Sequence, residues 1–442
     1  MQLVRLFAAI LILGLGMTSP ARALTLLRDP DIEHALKQLA TPVLQAAGLS
    51  PTRVRILVID DRNLNAFVVD QDHIFIHSGL LLKMRTPEML QAVIAHEAAH
   101  IASGHLVRRP VNMRNARTAA GIGVALAAAA GAISGNGQVA AAGAVGATNT
   151  ALRLFFVHTR AEESSADSAS VRYLLRAGID PQGAVEVMEI FRGQEVLSES
   201  RQDPYSRSHP MSSDRYRGVK SLADANARPG AKSPNADYWF ARAKGKLSAF
   251  KLSPKWTLTR AGESGFQDVK LMREAAAHHR QSRMDRALRS IDGALAIRRN
   301  DPYYLELRGQ ILMENRRFAE AANSYARAVN AAPNDALILG SYGRALLAQG
   351  QNDKALQILT KARSRDVGDI RVMRDLGVAY AKSGNRGMAS LVTAERYALQ
   401  GRMADAGLHA GRASDLLPRG SAGWQRAQDV LSAAKAAQRK RK

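Results

Sequence analysis

The chain has 442 residues, of which 46% are hydrophobic and 23% are charged, and it contains no cysteine. This length allows two domains with apolar cores, while the absence of cysteine excludes a disulfide framework. The formal net charge of +23 points to acidic partners.

The first residues have the features of a secretory signal. Arg5 precedes an apolar run, Leu6–Met17, and Ala21-Arg22-Ala23 forms a small-x-small cleavage site. We therefore expect export and cleavage after Ala23. The alternative is a membrane anchor, but the apolar run is short for a bilayer span.

A small mixed region is predicted next. Arg28–Ala47 carries apolar residues at helical spacing, which predicts a first helix. Three β-branched or aromatic segments follow, at Val54–Ile59, Asn65–Val69 and His73–His77. Polar residues separate these segments, so we predict a small meander of strands.

Two histidines stand four positions apart on the following helix. Thr86-Pro87-Glu88 supplies an N-cap, a first-turn proline and an early acid, so the helix should start there and run to about Ser103. His96 and His100 then share one face, as two imidazoles on one metal would, and Glu97 lies about 100° away. This is the His-Glu-x-x-His signature of zinc proteases. The alternative, an amphipathic core helix, would bury three polar groups without a shared purpose.

His105 tests a different ligand set. It follows His100 by five residues, about 140° further round a helix, so it should not join the same metal. The longer metzincin pattern also fails, at Ser103 and Leu106. We expect His105 to be a surface or hydrogen-bonded residue.

The segment Ala119–Phe156 is almost entirely Ala, Gly, Val and Leu, with a polar break near its middle. Each half is short for a membrane span, which favours a buried helical hairpin. A hairpin that touches the membrane is the alternative.

The next polar helix offers a third metal ligand. Glu163 and Asp167 are four apart on one face, as a ligating carboxylate and a carboxylate that orients an imidazole would be. Glu162 points elsewhere. The spacing alone fits a solvated helix face equally well.

Three motifs in order carry a family resemblance. His96-Glu97-Ala98-Ala99-His100 is followed by Arg160-x-x-Glu163-x-x-Ala166-Asp167 and then by His209-Pro210-x-x-x-x-Arg215. Over roughly residues 28–225 the chain resembles the gluzincin family that contains the prenyl-protein (CAAX) endoprotease and the heat-shock membrane protease. The resemblance implies an α+β zincin-like metalloprotease domain, mostly helical with a small β-sheet. The chain differs from the family at Ser165, where relatives often have a second acidic residue. It also lacks the long membrane helices of the integral members.

The resemblance also implies residue roles. It makes three side chains the ligands of one Zn²⁺ ion: His96, His100 and Glu163. Glu97 corresponds to the general base and acid of peptide hydrolysis, and Asp167 to a carboxylate behind the ligands. His209 matches a histidine that can approach the metal at rest, and Arg215 matches the arginine that follows it. Because a protease that reads backbone needs unpaired peptide groups, we expect substrate along an edge strand from residues 65–77.

The protease domain is predicted to end near residue 260. Ser221–Asp237 is rich in Ala, Asn, Pro, Gly and Lys and predicts a loop, and Tyr238–Leu252 predicts a basic amphipathic helix. We therefore divide the chain into a signal at 1–23, a metalloprotease domain at 24–260 and a repeat domain at 261–442.

A 34-residue period marks the repeat domain. Small residues recur at that spacing, and larger ones stand at Tyr325 and Leu359. The recurring small residues are Gly309, Gly343 and Gly377, together with Ala287, Ala321, Ala355 and Ala389. The pattern predicts an all-α tetratricopeptide solenoid rather than an unrelated helical bundle. Arg402–Pro418 matches the pattern half a repeat out of phase, so we expect the solenoid to turn back or cap there.

Such a stack presents a concave groove that binds protein and does not catalyse. With a signal segment and repeats, the chain is most similar to periplasmic gluzincins of Gram-negative bacteria that act in outer-membrane assembly. This similarity implies protein substrates and the assembly machinery as partners, with peripheral contact to anionic membrane. Nucleic acid is a poor partner for an exported chain without a nucleic-acid motif. The alternative function is a chaperone or binding module with a latent metal site.

Overall fold

The computed structural model describes residues 25–105, 160–194, 197 and 201–439. The predicted signal segment at 1–23 and the predicted hairpin at 119–156 lie outside these residues. Within the described parts, an N-terminal region with a small sheet is followed by stacked helices, which confirms the predicted fold class.

The N-terminal region alternates short strands with helices. Its first elements are β1 (Leu26–Leu27), α1 (Pro30–Ala46), β2 (Arg55–Ile59), β3 (Ala66–Val68), β4 (His73–His77), α2 (Ser78–Lys83) and α3 (Pro87–Ala102). After them come α4, described from 160 to 176, α5 (Gln182–Ile190), α6 (Pro204–Ser208), α7 (Ser213–Ala225), α8 (Ala236–Lys251) and α9 (Pro254–Arg260).

The four strands form one sheet in the order β1-β2-β4-β3. The predicted meander is therefore wrong, because β2 pairs in parallel with β4 and β3 lies at an edge. The longest apolar strands occupy the centre, where both of their edges are hydrogen-bonded, and the three-residue β3 is left outside. The sequence pattern predicts where each strand lies in the chain. The order of the strands in the sheet depends instead on packing between segments that are distant in sequence.

Helices α1 and α3 form the core of this region. Apolar side chains of α1, including Leu36 and Leu39, are almost fully buried and pack in one cluster with Ile74 and Ile76 of β4 and with the apolar side of α3. Helix α1 begins where Asp29 accepts hydrogen bonds from the first turn. Helix α3 thus packs on β3 and β4 of the sheet and against α1.

The predicted loop at 221–237 is shorter than expected. Helix α7 continues to Ala225, and α8 already begins at Ala236. Val219 and Ala223 are buried, so packing extends the helix beyond the point where composition predicted its end.

Antiparallel helix pairs make up the repeat domain. The helices are α10 (Gln267–Arg280), α11 (Met284–Ile297), α12 (Pro302–Glu314), α13 (Phe318–Ala331), α14 (Ala336–Ala348), α15 (Asn352–Arg365), α16 (Ile370–Lys382), α17 (Arg386–Leu399), α18 (Met403–Leu416) and α19 (Ala422–Arg439). A Cβ atom on Gly309 would lie 2.6 Å from the Tyr325 ring, and one on Gly343 would lie 2.5 Å from Leu359. The recurring small and large residues are therefore contact partners within a helix pair.

Buried charges join the two regions. Arg242 of α8 binds Asp31 of α1 with Nε at 2.5 Å, and it binds Asp301, at the start of α12, through two hydrogen bonds of 2.6 Å. Farther along the solenoid, Asp366 accepts from Arg28 at 2.7 Å and from Arg55 at 3.0 Å. The repeats therefore pack against the protease region at two separate places.

Candidate metal centre

Helix α3 carries the two histidines where they were predicted. The Thr86 side chain accepts a hydrogen bond from the backbone of Met89, Pro87 opens the helix, and the helix ends at Ala102. The Nε2 atoms of His96 and His100 lie 3.1 Å apart, and both residues are buried. The helical spacing therefore brings both imidazoles to one point.

Glu163 of α4 and His209 complete the cluster. Glu163 lies 3.3 Å from His96 Nε2 through Oε2 and 3.4 Å from His100 Nε2 through Oε1. His209 Nδ1 lies 2.9 Å from Glu163 Oε2 and 3.3 Å from His96 Nε2. One potential ligand atom from each of these side chains falls within 4.8 Å of all the others.

These distances fit a tetrahedral metal ion. Ligand atoms about 2.0–2.2 Å from a tetrahedral Zn²⁺ are roughly 3.3–3.6 Å from one another. The separations around His96 and Glu163 fall close to that range, although the four side chains come from three distant segments. Imidazoles and a carboxylate are also the donors that zinc prefers among ligands other than cysteine. The residues present therefore fit the metal that the sequence predicted.

Behind the cluster, Asp167 and Arg215 orient His96. His96 Nδ1 lies 3.1 Å from Asp167 Oδ1, which directs Nε2 toward the cluster. Arg215 donates from Nε and Nη2 to the two oxygens of Asp167, at 2.7 and 2.8 Å. Its Nη1 donates to the carbonyl of Pro210, so Arg215 also fixes the segment that carries His209.

The electrostatics of the cluster favour charged side chains. Burial lowers the pKa of His96, but hydrogen bonds with Asp167 and Glu163 outweigh it and raise the pKa to about 10. Burial raises the pKa of Glu163, yet the charge of His209 and hydrogen bonds from His209 and His96 hold that pKa well below its usual value. Burial likewise opposes ionisation of Asp167, but Arg215 and His96 lower its pKa. Glu163 and Asp167 are thus ionised although they are buried, and a positive charge between them would stabilise the cluster.

Glu97 lies at the rim of the cluster, as its helical position predicted. Its Oε1 atom is 3.4 Å from His209 Nε2, and its side chain is buried. His209 therefore spans the site, with one ring nitrogen toward Glu163 and the other toward Glu97.

His105 belongs to the same assembly as a hydrogen-bonded residue, which is one of the two alternatives predicted for it, and it does not lie at the surface. It is 3% exposed, and its Nδ1 atom lies 3.0 Å from His100 Nδ1. The 140° estimate treated His105 as part of one continuous helix, whereas α3 stops at Ala102 and Gly104 has a φ of +66°. This left-handed residue turns the chain back, which places His105 behind His100.

Tyr205 is a site residue that the sequence did not indicate. Its ring centroid is 4.7 Å from that of His209, and it stacks on Phe191 at 4.5 Å. Burial and the nearby negative charge of Glu97 raise the pKa of the Tyr205 hydroxyl well above its usual value. The sequence signal that could have identified Tyr205 is its spacing: it lies four residues before His209, close to one helical turn.

Comparison with known proteins agrees with this geometry. Residues 27–223 match peptidase family M48, and residues 312–386 match the tetratricopeptide repeat. The N-terminal region is an M48 metallopeptidase domain. The repeats that follow it belong to a class that binds proteins.

Two curated relatives illustrate the similarity. The β-barrel assembly-enhancing protease of Escherichia coli (strain K12) is 25% identical over 389 residues, which cover 86% of this chain and 78% of the relative. The metalloprotease LoiP of the same organism is 30% identical over 165 residues, covering 37% of this chain and 61% of LoiP. Among solved structures, the tetratricopeptide protein YrrB aligns with a TM-score of 0.32 and 19% identity, over 40% of this chain and 91% of YrrB.

No helix among the described residues is long and apolar enough to cross a membrane.

Proposed function

We propose that this chain is a periplasmic zinc endopeptidase that hydrolyses misassembled outer-membrane proteins. The observation that carries the proposal is the buried cluster of three imidazoles and one carboxylate with Glu97 at its rim. The similarity to a protease named for β-barrel assembly supports the substrate class, and the predicted signal segment supports the compartment.

His96, His100 and Glu163 would hold the metal in this proposal. A bound zinc ion lowers the pKa of water and polarises the carbonyl of the scissile bond. Asp167 fixes the ring of His96, and His105 fixes that of His100 from behind. These contacts keep both Nε2 atoms directed at one point.

Glu97 is the proton carrier of the proposed reaction. Its carboxylate accepts a proton from the attacking water and passes it to the leaving amine, which is the work of a general base and then a general acid. Arg215 is a positioning residue, because Asp167 and the Pro210 carbonyl take its donors. His209 has two candidate roles: it blocks the metal position at rest, or it stabilises the oxyanion during turnover.

The edge strand β3 is the proposed track for substrate. One edge of β3 pairs with β4, and no described strand pairs with the other edge. The carbonyl of Leu64, just before β3, accepts from the backbone of Tyr205, which links this edge to the segment bearing His209. An extended peptide added along β3 would use backbone hydrogen bonds.

The repeats are proposed to deliver protein substrates and to contact the outer-membrane assembly machinery. Residues 267–442 hold 31 basic and 17 acidic side chains, which should speed encounter with acidic proteins or anionic membrane.

One observation favours a second candidate function. His209 lies among the potential ligands at 2.9 Å from Glu163, so it could fill the fourth coordination position permanently. The chain would then be a chaperone or binding module with a latent metal site.

Zinc analysis combined with a cleavage assay separates the two candidates. The purified full-length chain should contain one zinc ion, cleave casein, lose cleavage with a chelator and regain it with added Zn²⁺. A chain that holds zinc but leaves casein intact, both as wild type and as His209→Ala, would support the binding module instead.

A further inference from the structure

A cavity lies between the protease region and the first repeat helices. Its volume is about 530 Å³, and it opens beside the N-terminus of α3, where Arg85 and Pro87 line it. Helices α8, α9 and α10 supply most of the remaining wall, together with Leu82 of α2 and the turn between α9 and α10. None of the residues assigned to the metal cluster lines this cavity.

The polar wall of the cavity is basic. It contains four basic side chains, Arg85, Lys244, Arg260 and Arg273, and two acidic ones, Asp237 and Glu263. Asp237 already binds Lys232 at 2.9 Å. The cavity therefore presents more positive charge than its own acids neutralise.

Arg273 is the buried centre of this charge. It is 5% exposed, and its Nη1 donates to the carbonyls of Arg260 and Ala261 at 2.7 and 3.1 Å. Its Nε is buried without a hydrogen-bond partner among the described residues. An unpaired donor on a buried cation is costly unless a ligand accepts from it.

The surroundings of Lys244 show the same shortage of negative charge. Burial lowers the pKa of Lys244, and the nearby Arg273 lowers it further. Burial also lowers the pKa of Arg273, against the opposing charge of Glu263. The positive end of the sixteen-residue helix α3 adds to this field.

The other wall is apolar. Trp256 stands in the cavity with the guanidinium carbons of Arg260 and Arg273 at 5.4 and 6.0 Å from its ring. Phe240, Leu252 and Phe266 extend this surface. A bare ion would not pack against this apolar surface.

We propose that this cavity is a binding site for an oxyanion, a phosphate or a carboxylate, attached to an apolar group. The oxyanion accepts from Arg273 Nε and neutralises Lys244, while the apolar group packs against Trp256. This site goes beyond the proposed peptidase activity and does not depend on it.

Calorimetric titration of the full-length protein tests the site. The probes are phenyl phosphate and 3-phenylpropionate, which separate a phosphate source from a carboxylate source, and 3-phenylpropionamide is the neutral control. At least one anionic probe should bind and raise the melting temperature, because a ligand that binds only the folded state stabilises it. Absence of binding by both anions at about 10 mM, or equal binding of the amide, would overturn the proposal.

Variants locate the binding. Arg273→Met and Lys244→Met should each lower the binding affinity for the anionic probe by about tenfold or more, since each removes a charge-assisted contact. Arg327→Met removes an exposed charge elsewhere in the solenoid and should leave affinity unchanged. Equal weakening by Arg327→Met would mean that the probe senses only the overall charge, which contradicts a built site.

Discussion

His209 Nδ1 lies 2.9 Å from Glu163 Oε2 and 3.3 Å from His96 Nε2, inside the space that a metal and its substrate would share. A side chain in that position closes the site to a peptide carbonyl. His209→Ala should therefore retain zinc and raise the rate of casein cleavage or self-cleavage several-fold. Turnover and zinc content measured on the same preparation check this.

The sign of the change separates the two roles of His209. A lower rate with unchanged zinc would show that His209 stabilises the oxyanion instead. Tyr205→Phe, which keeps the ring packed against His209, is the matched control and should leave zinc content unchanged.

Glu97 is expected to transfer protons during hydrolysis and to contribute nothing to zinc binding. Glu97→Gln should keep the zinc content of the wild type and lose roughly 10²–10⁴-fold in peptide hydrolysis. Glu88→Gln makes the same chemical change in the first turn of the same helix and should retain activity. Near-normal cleavage by Glu97→Gln would contradict the role of Glu97 as the general base and acid of peptide hydrolysis.

Glu163 and its neighbour Glu162 provide a matched pair for the third ligand. Glu163 is fully buried and within 3.4 Å of both helix histidines, whereas the side chain of Glu162 is partly exposed. Glu163→Ala should lower zinc content, measured by elemental analysis, and Glu162→Ala should not. Equal zinc loss in both variants would show that the ligand was misassigned.

Local patterns carried much of the site prediction. His96, Glu97 and His100 were predictable because helical spacing fixes which side chains share a face. The structure also places Glu163 and Asp167 beside His96, but their spacing fitted a solvated face equally well, and the family resemblance supplied their predicted roles.

Features that depend on helix ends and on distant packing were not predictable in the same way. The surface alternative for His105 failed because helical extrapolation does not reveal the left-handed turn at Gly104. The parallel pairing of β2 with β4 and the burial of Arg242 between Asp31 and Asp301 join segments far apart in sequence. No local spacing encodes such contacts.

Glu306 gives a pH-dependent prediction within the repeat domain. It is 6% exposed, accepts from Ser341 at 3.2 Å, and its Oε2 has no hydrogen-bond partner among the described residues. Burial raises the pKa of Glu306 to about 7, although the nearby Lys246 opposes the shift. A folded-state pKa above the unfolded value favours folding at low pH, and this contribution is lost as pH rises from about 4.5 to 7.

Glu306→Gln should consequently stabilise the protein only where the wild-type carboxyl is ionised. We expect a gain of about 1–3 kcal/mol in the free energy of unfolding at pH 8 and less than about 1 kcal/mol at pH 5, because at pH 5 the folded carboxyl is still protonated and, like the amide, neutral. Denaturant unfolding at both pH values measures the difference. Glu314→Gln, at an exposed position at the end of the same helix, should show no such gain at pH 8. An equal gain at pH 5 would mean that charge burial at Glu306 does not limit stability.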